Sequence, residues 1–112
     1  MAVLKPKRGD VWWVNFDPSI GSEIQKKRPA IIVSNDSSNK YLSRVQVIPL
    51  TSSIEKIYPS ECLVEVKKQI CKAMADQIKT VSLERCSERI TILSETEMTT
   101  VESVLKLQLG LV

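Results

Sequence analysis

The chain has 112 residues, 43% of them hydrophobic and 26% charged, with 5 prolines and 3 glycines, a balance that fits one compact soluble domain over 1–112 and leaves no room for a second core. A domain of this length buries roughly 60–70% of the surface its unfolded chain would expose, so neither a metal nor a disulfide is needed to hold it. Histidine is absent, which removes the commonest metal ligand and the general base of every Ser-His-Asp or Cys-His arrangement.

Any chemistry therefore falls to carboxylates, Arg, Lys, hydroxyls or Cys. Cys62, Cys71 and Cys86 make an odd count, at spacings that match neither a disulfide framework nor a C-x-x-C pair, and they read as reduced thiols buried for structural reasons. Charges begin right after Leu4, and no apolar run approaches the ~20 residues of a membrane span, so neither export nor membrane insertion is expected and the cytoplasm is the expected compartment. The net charge of +3 is unevenly spread: residues 1–56 carry +4 and residues 57–112 carry −1. The excess sits in Lys5, Lys7 and Arg8 and again in Lys26, Lys27 and Arg28, which suits a surface that meets phosphates, although solvated loop lysines would give the same count.

In chain order, most elements read as strands. Val11 to Phe16 is β-rich, with Trp12, Val14 and Phe16 on one face and Val11, Trp13 and Asn15 on the other. Asp17-Pro18-Ser19-Ile20-Gly21-Ser22 opens a polar loop that runs to Arg28. Pro29 to Val33 is almost wholly apolar, as in a central strand covered on both faces, and Asn35 to Asn39 ends it. Val45 to Leu50 is a third strand and Leu63 to Val66 a fourth, joined by a polar connection; Cys71 to Ile78 is a candidate fifth. Leu83 to Glu88 is too short for more than a helical turn. Ser94-Glu95-Thr96-Glu97 is a capping box that opens a C-terminal helix ending near Gly110, whose Met98, Val101, Val104, Leu105 and Leu109 form one packing face. The expected fold is mainly β: a small, partly open barrel of antiparallel strands sealed by the C-terminal helix.

If the second and third strands are antiparallel neighbours, Arg28 at the start of one meets Thr51 at the end of the other, and Glu23 lies in the loop before Arg28. A carboxylate, a guanidinium and a hydroxyl would then share a cleft. Residue types alone favour a plainer arrangement, a surface ion pair between Glu23 and Arg28 contributing ~0–1 kcal/mol, with Thr51 merely ending a strand.

The wider pattern adds to this. Lys7-Arg8-Gly9-Asp10-Val11-Trp12-Trp13-Val14, Phe16-Asp17-Pro18, Gly21-Ser22-Glu23, Lys27-Arg28-Pro29-Ala30-Ile31-Ile32-Val33-Ser34-Asn35, Pro49-Leu50-Thr51-Ser52 and Ala75-Asp76-Gln77-Ile78-Lys79-Thr80 together resemble the MazF/PemK family of toxin endoribonucleases over nearly the whole chain. The loop departs from a common family version, in which Gln follows Glu directly and small residues come next; here Ile24-Gln25-Lys26-Lys27 fills that space.

The resemblance implies an SH3-like barrel shared with gyrase-poisoning toxins, a homodimer, metal-independent cleavage of single-stranded RNA without any cofactor, and inhibition by a cognate antitoxin whose flexible acidic segment covers the RNA groove. It implies a catalytic pair of Arg28 and Thr51, with Glu23 as a further active-site candidate. For such a substrate Arg8, Lys26 and Lys27 would meet the backbone, Ser52 would adjoin the catalytic hydroxyl, Asn35 and Gln77 would read base edges, and Phe16 or Trp13 would stack on a base, the core being an equal alternative for both rings. The runner-up is a non-catalytic toxin of the same fold that poisons DNA gyrase. A third reading is a module that binds RNA or antitoxin but cleaves nothing.

Overall fold

A computed structural model describes residues 4–111. The chain runs β1 (Asp10–Asn15), β2 (Lys27–Ile32), α1 (Asp36–Tyr41), β3 (Arg44–Thr51), β4 (Glu61–Val66), β5 (Gln69–Met74), β6 (Lys79–Ser82), β7 (Cys86–Ile92) and α2 (Glu95–Leu109), with single 3-10 turns at Ala75–Gln77 and Leu83–Arg85. All strand pairs are antiparallel, in the order β4-β5-β3-β2-β1-β7, with β6 added beside β3. The result is the expected mainly β architecture, a curled half-barrel with one long helix at its C-terminal end.

Alternation along the central strands sends side chains into two apolar clusters, one on each face of the sheet. Trp12, Val14, Phe16, Ala30, Ile32, Val45 and Val47 fill one; Val11, Ile31, Ile48 and Leu50 fill the other, which α2 closes with Val101, Met98, Val104 and Leu105. Leu109, the last residue of the expected packing face, stands out in solvent instead, because the helix runs past the edge of the core there.

The strand β3 organises the curl. Its first half pairs with β6 from Arg44 to Val47, and its last residues pair with β5 at Leu50 and Thr51. Between these two ladders the β5–β6 strand bulges out as the 3-10 turn Ala75–Gln77. The single strand expected over Cys71 to Ile78 is thus β5 followed by a turn that lifts Gln77 out of the sheet. Lys67 and Lys68, both at positive φ, form the two-residue hairpin between β4 and β5, starting β5 two residues before the expected Cys71.

Two further segments correct the sequence reading. Asn35 to Asn39 does not simply end a strand; it begins α1, a short helix with too few apolar residues to show a helical period. After the Leu83–Arg85 turn the chain continues as β7, whose mostly exposed residues conceal its pairing with β1. In the Arg8-Gly9-Asp10 turn, Gly9 holds a φ of 92°, and the buried Asp10 carboxylate accepts hydrogen bonds from the Lys7 N–H and the Trp12 indole N–H at 2.9 and 3.0 Å.

The Ser94 capping box forms as expected. Its hydroxyl accepts the Glu97 N–H at 3.1 Å, and the Glu97 carboxylate accepts the Ser94 N–H at 3.2 Å. Desolvation pushes the Glu97 carboxyl up, but the Glu65 N–H and the Ser94 donors outweigh it and leave the group below its usual value of 4.5. Ser94→Ala is expected to cost about 1 kcal/mol in urea denaturation at neutral pH. That part of the stability depending on ionised Glu97 is present above pH 4.5 and fades as the pH drops through the lowered folded value. No helix among the described residues is long and apolar enough to cross a membrane.

Candidate active site at the β2 and β3 strand ends

β2 and β3 pair through Ala30↔Pro49, Ile31↔Ile48 and Ile32↔Val47. Carried two residues further, that register sets Arg28 opposite Thr51. The ladder itself stops at Ala30 and Pro49: Pro29 and Pro49 bring no N–H to it, and the strand ends part. A cleft of about 350 Å³ opens in the gap, lined by Trp13, Lys26, Lys27, Arg28, Pro29, Leu50, Thr51, Ser52, Gln69 and Cys71. Six of the sequence-derived candidates, Trp13, Lys26, Lys27, Arg28, Thr51 and Ser52, therefore share one concavity.

The two central side chains are held by backbone from their own neighbourhoods. Arg28 Nε donates to the Gln25 carbonyl at 2.9 Å, which fixes the base of the guanidinium and keeps its terminal N–H groups for an incoming anion. Thr51 Oγ1 accepts the Ser53 N–H at 3.2 Å, which leaves its own O–H to donate. With Lys26 and Lys27 beside Arg28 the cleft collects three cations, and Trp13, 36% exposed, offers an aromatic face at its wall. Such a lining attracts anions and repels metal cations; among the described residues no group of three Cys, Asp or Glu is placed to hold a metal.

Other candidates lie elsewhere. Glu23 is outside the cleft lining, and its carboxylate accepts the Ile20 N–H at 2.7 Å within the β1–β2 loop. It does not pair with Arg28 either: the ion pairs among the described residues are Arg8–Glu102 and Lys72–Glu61. Arg8 is thus tied to α2 and to the Val33 carbonyl, away from the cleft. Asn35 spends its side-chain oxygen as the N-cap of α1, accepting the Ser38 N–H at 2.8 Å. Phe16 is fully buried, so the stacking role is corrected: it shares the core with Trp12 and Val14 and has no face for a base. Gln77 is engaged with the β1–β2 loop.

Four lining residues are not among the site candidates: Pro29, Leu50, Gln69 and Cys71. For Gln69 and Cys71 the signal is the hairpin at Lys67-Lys68, which folds β5 back so that its later residues Lys72 and Ala73 pair with Thr51 and Leu50 at the end of β3. Burial raises all three thiols, Cys86 to about 11, so little thiolate exists at neutral pH. Iodoacetamide at pH 8 is expected to label the native protein slowly and the urea-unfolded protein quickly; rapid native labelling would contradict this burial.

The geometry defines a small β protein, a curled half-barrel with a cationic cleft at the ends of β2 and β3. Residues 7–109 match the family of PemK-like, MazF-like toxins of type II toxin-antitoxin systems, and the chain belongs to that family. It is 39% identical over 114 residues to the endoribonuclease MazF9 of Mycobacterium tuberculosis (strain ATCC 25618 / H37Rv), covering 94% of this chain and 97% of that one. Its fold is similar to a crystal structure of MazF from Deinococcus radiodurans, with a TM-score of 0.86, 25% identity, and coverage of 96% and 99% of the two chains. It is also similar, at a TM-score of 0.80 and 21% identity over 96% and 97% of the two chains, to a mycobacterial endoribonuclease solved in complex with its cognate antitoxin.

Proposed function

We propose that residues 1–112 act as one domain, a metal-independent endoribonuclease that cuts single-stranded RNA in the cytoplasm as the toxin of a toxin-antitoxin pair. The observation that carries this reading is the shared cleft of Arg28 and Thr51 in a chain 39% identical to an endoribonuclease. Cleavage proceeds by attack of a ribose 2′-OH on the adjacent phosphorus. The O–P bond to the next nucleoside breaks as the new one forms, giving a 2′,3′-cyclic phosphate and a 5′-OH. Negative charge grows on the non-bridging oxygens as the phosphorane forms, and the guanidinium of Arg28 is the donor set suited to it. Thr51 holds a phosphate oxygen or the 2′-OH in line; as a nucleophile it would need a base beside it. Glu23 reaches the reacting proton only if the β1–β2 loop shifts on RNA binding, because its carboxylate holds the Ile20 N–H in the free protein.

Lys26 and Lys27 meet the phosphates on either side, with Ser52 next to the reacting group and Trp13 in the stacking role. A homodimer lengthens the groove by symmetry, and an acidic antitoxin segment occupies the same cations as RNA, so inhibitor and substrate exclude each other. The gyrase-directed alternative would leave this cleft without a use. The test is incubation with a mixed single-stranded transcript in excess EDTA, followed by mapping of product 5′ ends. Discrete cuts that resist the chelator are expected; intact RNA, whether bound or free, would overturn the proposal.

A further inference from the structure

The β1–β2 loop, residues 16–26, carries the carbonyl that holds Arg28, and the turn after β5 grips it from outside. At its base the Phe16 N–H donates to the Lys26 carbonyl and the Lys26 N–H to the Asp17 carboxylate, both at 2.9 Å. At its crest the side chain of Ile24 packs against the core cluster of Trp12 and Phe16. Ile20 and Glu23 form a turn between themselves and Arg85 reaches the Asp17 carbonyl; on either side of Glu23, Gln77 holds the backbone, its Oε1 accepting the Ile24 N–H at 3.2 Å and its Nε2 donating to the Ser22 carbonyl at a longer 3.4 Å. One residue beyond Ile24 is Gln25, whose carbonyl accepts Arg28 Nε.

From this chain of contacts we infer that Gln77 is a positioning residue, a two-armed amide clamp on Ser22 and Ile24 that sets the Gln25 carbonyl and thereby aligns the Arg28 guanidinium in the cleft. The bulge between β5 and β6 gives the clamp its place, since the turn Ala75–Gln77 projects from the sheet next to the loop. An amide is required: one partner offers an N–H and the other a carbonyl, so only a group with both an acceptor and a donor satisfies the two. A small displacement of a guanidinium from a transferring phosphoryl group is costly to rate and cheap to binding, because in-line geometry matters only in the transition state.

The kinetic part rests on the cleavage proposed above, and the experiment separates the two claims. Gln77→Met keeps the volume and removes both arms; Gln77→Glu keeps an acceptor for Ile24 and turns a second carboxylate oxygen toward Ser22. Three readouts are taken: hydrogen exchange at the Ile24 amide without RNA, single-turnover cleavage at saturating RNA, and affinity for an oligonucleotide with a 2′-deoxy group at the cut site. Gln77→Met is expected to speed Ile24 exchange and to slow saturated cleavage, each by about tenfold, while affinity for the uncleavable oligonucleotide stays within roughly threefold. Gln77→Glu should fall between Gln77→Met and the unaltered protein in exchange. Unchanged Ile24 exchange overturns the clamp. Faster exchange with an unchanged saturated rate overturns the link to Arg28, and lost affinity or altered cut-site preference at an unchanged saturated rate makes Gln77 a base reader instead. Should the unaltered protein cut no RNA, the cleavage reading falls, and Ile24 exchange in Gln77→Met still decides on the clamp.

Discussion

Arg28→Ala is expected to slow single-turnover cleavage at saturating RNA by about 10²–10³-fold, the effect of deleting one preorganised donor aimed at developing negative charge. Folding should be little altered, because the side chain is half-buried at a strand end and its one internal hydrogen bond reaches a loop carbonyl. Arg28→Lys keeps the charge but loses both the Nε anchor on Gln25 and the forked donor geometry, so it should recover only part of the rate. Full activity in Arg28→Ala would remove the guanidinium from the mechanism. Loss of RNA affinity with an unchanged saturated rate would make it a binding residue alone.

A second large effect separates two aromatic residues, Trp13 within β1 and Phe16 just past its end. Phe16→Ala should lower stability in urea by about 3–5 kcal/mol, since Phe16 is fully buried among Trp12, Val14 and Val47 and its removal leaves a cavity. Trp13→Ala, at a partly exposed position on the cleft wall, should change stability far less and weaken RNA binding by about 1–3 kcal/mol, the usual worth of one stacked base. A stable Phe16→Ala protein with impaired RNA binding would reverse the assignment of the two rings.

Those rings also show what the sequence makes legible. Alternation over Val11 to Phe16 places Trp12, Val14 and Phe16 on one face, and the structure agrees; what alternation does not give is whether the opposite face is covered, and Val11 is buried there while Trp13 reaches solvent. That Arg28 and Thr51 line one cleft could be expected because it needs only that two apolar strands be antiparallel neighbours. The C-terminal helix announces itself by a capping box at one end and Gly110 at the other. β6 and β7 stay hidden because a short strand and a mostly exposed edge strand lack the apolar alternation that marks β structure. Arg8, Asn35, Glu23 and Gln77 are harder for a different reason. Each can serve RNA or a hydrogen bond within the protein, and the choice depends on partners such as Glu102 for Arg8 or Ile24 for Gln77 that only the folded chain brings near.

The most direct test of the account is a double-mutant cycle on Arg28→Ala and Thr51→Ala, read as single-turnover cleavage of one RNA at saturation with EDTA present. If both groups act on the same phosphodiester, the double variant should be scarcely slower than the worse single one, because residues working as a unit are strongly non-additive. A double variant whose loss equals the product of the two single losses would place the guanidinium and the hydroxyl at independent tasks and contradict the shared site.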